Sequence, residues 1–90
     1  MNSAWTIEIT ATAQKQIRKL DRQVARQTYR FLRERVATAD DPRRMGKGLI
    51  APGKEVWRYR IGDYRILCDI SDERLVVLVV RVGHRREVYR

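Results

Sequence analysis

The sequence predicts an α+β domain. A helix hairpin should lie across one face of a small twisted, mainly antiparallel sheet, in the order β-α-α-β-β-β. Three observations carry this expectation. Two apolar stripes at helical spacing follow a short alternating segment near the N-terminus. The C-terminal half holds three apolar or alternating segments separated by short turn signals. Finally, 90 residues leave room for one core, so the hairpin and the sheet must cover each other. Residues 1–90 are therefore read as a single domain.

The elements follow in order. Trp5, Ile7 and Ile9 alternate with Thr6 and Glu8, as in a half-buried strand. Thr10 is placed to cap a helix whose stripe is Ala13, Ile17, Leu20 and Val24. Asp21 is placed to cap a second helix, with Val24, Thr28, Phe31, Leu32 and Val36 on its apolar side. The stretch from Thr38 to Gly53 breaks periodicity at Asp40-Asp41-Pro42, Gly46, Gly48 and Pro52-Gly53, and reads as a long irregular loop.

Three strands complete the order. Val56, Arg58 and Arg60 share one face of the first, opposite Trp57, Tyr59 and Ile61. Gly62-Asp63 makes a tight turn, and Tyr64, Ile66, Cys68 and Ile70 share a face of the second. Ser71 to Arg74 is a second turn. Leu75 to Val82 is apolar on both faces up to Arg81, as in a central strand, and Gly83 should end it. Glu87-Val88-Tyr89 reads as a short last strand or an extended tail. The uncovered sheet face should carry Arg58, Arg60 and Arg65.

The longest apolar run is six residues, Leu75 to Val80, where a membrane helix needs about 20. No secretory pattern opens the chain, so a cytoplasmic location and no membrane partner are expected. The single cysteine, Cys68, excludes an internal disulfide and is expected to be buried. Twenty basic residues against 11 acids give a net charge of +9, and all but four of the basic residues are arginine. Arginine's planar fork matches phosphate, so the excess points to nucleic acid or an acidic protein partner. The charge concentrates in two segments. One holds Arg43, Arg44, Lys47, Lys54, Arg58, Arg60 and Arg65 against Glu55 and Asp63; the other runs from Arg81 to Arg90.

Arg58, Arg60 and Arg65 together form a candidate phosphate cradle. The single histidine, His84, follows Gly83 beside Arg85 and Arg86, and a proton-transfer role there is chemically sensible. Tyr89 offers a ring for stacking on a base. One histidine with scattered acids does not make a two-metal nuclease site, and Gly46-Lys47-Gly48 lacks the spacing of a nucleotide-binding loop. No cofactor is expected. Attack of a ribose 2′-hydroxyl on its own phosphate needs only positioning, proton transfer and charge stabilisation.

The segment Trp5-Thr-Ile-Glu-Ile-Thr-Ala-Thr-Ala-Gln-Lys-Gln-Ile-Arg-Lys-Leu20 resembles the start of RelE-type toxins. So do Gly62-Asp-Tyr-Arg-Ile66 and Val82-Gly-His-Arg85 ahead of Glu87-Val-Tyr89. The resemblance, to the RelE/ParE superfamily of toxin–antitoxin pairs, runs over nearly the whole chain. It implies a fold like that of small microbial RNases and ribosome-dependent cleavage of messenger RNA in the A site. It also implies a cognate RelB-like antitoxin, through which the pair would bind operator DNA.

Carried over by position, Arg58 and Arg60 fall where the family has basic residues in the first meander strand. Arg65 matches the arginine that supports the scissile phosphate, Arg85 the arginine after the last long strand, and Tyr89 the stacking tyrosine. His84 falls at a position that is often basic. The expected catalytic set is Arg65, His84, Arg85 and Tyr89. The expected substrate-binding set is Arg43, Arg44, Lys47, Lys54, Arg58, Arg60 and Arg81. The best-known members carry lysines where Arg58 and Arg60 stand. An arginine stays protonated, which gives His84 more weight in proton transfer. Two other functions fit the same basic fold: a ParE-like poison of DNA gyrase, and a nucleic-acid-binding regulator without enzymatic activity.

Overall fold

The computed structural model describes residues 4–51 and 54–88, with side chains described for 4–49 and 56–88. Strand β1 (Thr6–Ile9) leads into helices α1 (Ala11–Arg18) and α2 (Arg22–Phe31). A π-helical turn (Leu32–Val36) and a 3₁₀ turn (Pro42–Met45) follow. Strands β2 (Lys47–Ala51), β3 (Lys54–Ile61), β4 (Tyr64–Ser71) and β5 (Val76–His84) complete the chain. The sheet order is β1-β5-β4-β3-β2, antiparallel except for the β1–β5 pair. This is the expected α+β architecture with one strand more than the sequence reading gave.

Both helix starts follow from their caps. Thr10 is extended, and its hydroxyl oxygen accepts from the Ala13 N–H at 3.1 Å. The Asp21 carboxylate accepts from the Gln23 N–H at 3.2 Å. Ala13 and Ile17 of α1, Leu32 and Val36 of the π turn, and Trp5 pack against Tyr59, Ile66, Cys68, Ile70, Val77, Val79 and Val82 of the sheet. The buried Thr28 hydroxyl donates to the Val24 carbonyl at 2.8 Å, so no polar group is stranded there.

The long loop expected over Thr38–Gly53 is corrected by the structure. Its middle is the 3₁₀ turn, and β2 pairs antiparallel with β3, Lys47 opposite Arg58 and Leu49 opposite Val56. Gly46 is there for close packing. A Cβ on it would stand 2.8 Å from the Arg58 carbonyl oxygen and 3.0 Å from the Tyr59 ring. Leu75 also departs from expectation: it occupies the left-handed region (φ 52°) in the β4–β5 turn, exposed, and β5 begins after it. Gly62 takes the same region (φ 56°) in the β3–β4 turn, as its dipeptide predicts.

One irregularity positions the site. Leu67 of β4 faces Arg81 of β5, but the next residue, Cys68, faces Val79. Val80 is therefore an extra residue, a β-bulge. Val79 and Val82 thus share the core face although they are three apart, and both are buried. Arg81 and Gly83 are turned to the opposite face.

Cys68 is fully buried, and burial pushes its thiol pKa well above the ordinary value. Native protein at pH 8 is expected to react with a maleimide only as fast as it unfolds, and to label fully in urea. Labelling at the rate of a free thiol would contradict this packing. Among the described residues, no helix is long and apolar enough to cross a membrane.

Candidate functional site

The helices cover one face of the sheet; the strand register orders side chains on the other. Paired residues on neighbouring strands share a face. One row across the sheet is therefore Lys47, Arg58, Leu67 and Arg81. A second row, nearer the β3–β4 turn, is Arg60, Arg65 and Gly83. The acids of this face, Asp69 and Glu8, both align with Leu78 at the other end of the strands. The face is thus polarised, with its positive end beside the Gly62-Asp63 turn.

The cations on it are not equivalent. Arg60 and Lys47 are exposed and Arg58 is half-buried. Arg65 is only 5% exposed, and its Nη1 donates to the Gly62 carbonyl at 2.9 Å and the Tyr64 carbonyl at 3.0 Å. It holds its own hairpin turn as well as contributing charge. Arg81 donates from Nη1 to the Val88 carbonyl at 3.2 Å.

The segment after β5 folds back over this face. The Glu87 and Val88 N–H groups donate to the His84 carbonyl at 2.8 and 3.0 Å, closing one helical turn. Val88 is buried, and a Cβ on Gly83 would lie 3.8 Å from it. Val88 therefore packs over Gly83 at van der Waals distance. The Arg85 N–H donates to the Asp63 carbonyl at 2.8 Å, tying this turn to the β3–β4 hairpin, while the Arg85 residue is exposed.

Other expected site residues lie elsewhere. Arg43 is bound bidentately to Asp72, Nη1 to Oδ1 at 3.0 Å and Nη2 to Oδ2 at 2.7 Å. It also lies 5.7 Å from the Trp57 ring, on the helix-covered side. The Arg43 guanidinium holds the Asp72 carboxyl below the usual carboxylate range. Arg43 thus joins the 3₁₀ turn to the β4–β5 turn and is not brought to the arginine face. Arg44 is exposed on the 3₁₀ turn. The Lys54 side chain and Tyr89 lie outside the described residues. His84 pairs with Tyr64 across the sheet, and their rings meet edge to face at 5.7 Å. Alternation puts that pair on the helix side, behind the arginines.

Two features had no sequence signal. Gln16 of α1 accepts through Oε1 from the Val82 N–H at 2.8 Å, where β5 has outrun β1 and its edge is otherwise unpaired by a strand. An open groove of about 1080 Å³ runs between β1 and α2, floored by Trp5, Ile7, Ile9 and Leu32 and rimmed by Arg26 and Arg33.

The open sheet face, rich in arginine, is backed by a two-helix layer and crossed by a C-terminal turn, a basic surface suited to a polyanion or an acidic partner. Comparisons with known proteins place the chain among toxins of type II toxin–antitoxin systems. Residues 7–89 match the family described as ParE toxin of type II toxin–antitoxin systems, parDE. The chain is 31% identical over 86 residues to Toxin RelG of Mycobacterium tuberculosis, covering 96% of this chain and 97% of that one. The crystal structure of the toxin–antitoxin complex RelBE2 from Mycobacterium tuberculosis contains a chain with TM-score 0.80 and 31% identity, covering 90% of this chain and 98% of that one. The archaeal RelE–RelB complex from Pyrococcus horikoshii shares the fold, with TM-score 0.76 at 20% identity over 94% of this chain and 99% of that one. The chain belongs to the RelE/ParE family of type II toxins and is of the RelE type.

Proposed function

We propose that this toxin arrests growth by cleaving messenger RNA in the A site of translating ribosomes. The observation that carries the reading is the pair of basic rows, Lys47–Arg58–Arg81 and Arg60–Arg65, on the sheet face that the helices leave open. In the reaction, a ribose 2′-hydroxyl attacks the adjacent phosphorus and loses its proton. The P–O bond to the 5′-oxygen breaks, and that oxygen takes up a proton. The products are a 2′,3′-cyclic phosphate and a 5′-hydroxyl.

Arg65 and Arg85 donate to the phosphoryl oxygens as negative charge grows on them. Arg58, Arg60 and Lys47 neutralise the flanking backbone, and Tyr89 stacks on a base. The face is a shallow sheet surface on a 90-residue chain, so the ribosome supplies the grip that holds RNA in register.

A RelB-like antitoxin is the natural partner of such a chain. The groove between β1 and α2 has an apolar floor and an arginine rim, which suits an amphipathic, acidic segment. The parDE family description favours a second reading, poisoning of DNA gyrase. Pulse labelling after induction separates the two. Incorporation of amino acids is expected to fall first, with DNA synthesis following. Early loss of DNA synthesis with translation intact would overturn the ribonuclease reading.

A further inference from the structure

We propose that His84 acts as a positioning residue: its Nδ1 caps the turn that presents Arg85, and it does not carry the proton in cleavage. Three observations combine. The bulge at Val80 places His84 on the face opposite Arg58, Arg60, Arg65 and Arg81, with its ring against Tyr64. Its Nδ1 accepts a hydrogen bond from the Arg86 N–H at 3.2 Å. Its carbonyl accepts from both Glu87 and Val88, so His84 stands at the N-cap of the single helical turn that carries Arg85.

The geometry is that of a side chain satisfying the backbone N–H two residues on, which asparagine and aspartate do habitually. Here an imidazole does it. The bond also fixes the tautomer. Nδ1 must hold its lone pair toward Arg86, so the proton of the neutral ring is on Nε2. The turn so closed delivers Val88 over Gly83 and holds the Arg85 N–H on the Asp63 carbonyl. Arg85 thereby sits at the positive end of the arginine face with its backbone fixed at both sides.

The inference rests on the ribonuclease reading for its effect on rate, but not for its effect on the turn. The discriminating variants follow from covalent geometry. The Oδ1 of asparagine stands as many bonds from Cβ as Nδ1 does, whereas the glutamine oxygen stands one bond further, where Nε2 is. His84→Asn, His84→Gln and His84→Ala all lose the ring contact with Tyr64, so that contact cancels in the comparison.

Two measurements are made on the purified toxin: hydrogen exchange of the Arg86 amide, and single-turnover cleavage on programmed ribosomes across pH. Wild type and His84→Asn are expected to protect the Arg86 amide equally and to cleave within about threefold of each other. His84→Gln and His84→Ala should exchange about tenfold faster there and cleave about tenfold more slowly, the size expected for a lost N-cap. A His84→Asn protein whose Arg86 amide exchanges as fast as in His84→Gln and His84→Ala would overturn the capping role, whatever the activity. If all three variants cleave equally slowly and a titration disappears from the rate profile, His84 is the proton carrier and the proposal fails. Wild-type cleavage by all three would show that the cap does not position Arg85. A wild type that does not cleave on ribosomes refutes the ribonuclease reading, and the exchange data still decide the cap.

Discussion

Arg85→Ala is expected to lower single-turnover cleavage of messenger RNA on programmed ribosomes by about a hundred- to a thousandfold, with an unchanged melting temperature. Removing one preorganised donor to a developing oxyanion typically costs about 3–4 kcal/mol in the transition state. Stability should be spared because the structural contact of Arg85 is made by its backbone N–H on the Asp63 carbonyl, and the residue is exposed. Arg65→Ala makes the informative contrast. It should lose a comparable factor in rate and also about 1–3 kcal/mol of stability, because the Gly62 and Tyr64 carbonyls lose a charged donor. Ribosome affinity should change far less than rate in both variants. An Arg85→Ala toxin that binds weakly but turns over normally once saturated would reassign the residue to RNA binding.

Tyr59→Ala is expected to cost about 3–5 kcal/mol, the range for emptying an aromatic site in a packed core. For a domain whose total stability is about 5–15 kcal/mol, that leaves little folded protein at physiological temperature. Tyr59 is fully buried in β3 between Arg58 and Arg60, with Phe31 edge-on at 5.4 Å. Its hydroxyl donates to the Pro42 carbonyl at 2.8 Å and so pins the 3₁₀ turn to the sheet. Burial pushes the phenol pKa well above its usual value, so the donor persists through the whole pH range in which the protein is used. Tyr59→Phe isolates that bond and should cost about 1–3 kcal/mol, the penalty for leaving a buried carbonyl unsatisfied. Urea denaturation measures both. A Tyr59→Phe protein as stable as wild type would mean that water reaches Pro42.

The features legible in the sequence are those governed by neighbours along the chain. Thr10 and Asp21 cap as their residue types predict, and Ala13 and Ile17 face the sheet as their spacing predicts. The alternation of Arg58 and Arg60 and the tight turn before Arg65 were enough to place all three on the open face. Strand β2 was not legible because Gly46 and Gly48 look like turn residues. Gly46 is there because the Arg58 carbonyl and the Tyr59 ring of the neighbouring strand pass too close for a Cβ, a reason that lies outside the segment. The destination of Arg43 depends on Asp72, 29 residues away. The side on which His84 falls depends on one inserted residue at Val80, and an apolar run on both faces gives no hint of a change in parity.

The parallel pairing of β1 with β5 joins the first strand to the last, with Thr10 bonded to Val80 across 70 residues. Such a sheet cannot close during synthesis until β5 has left the ribosome, so the non-local ordering cost falls after all the other described elements have been made. Arg81 and Arg85 emerge at that same late stage. A nascent chain therefore carries no assembled arginine face until β5 docks beside β4.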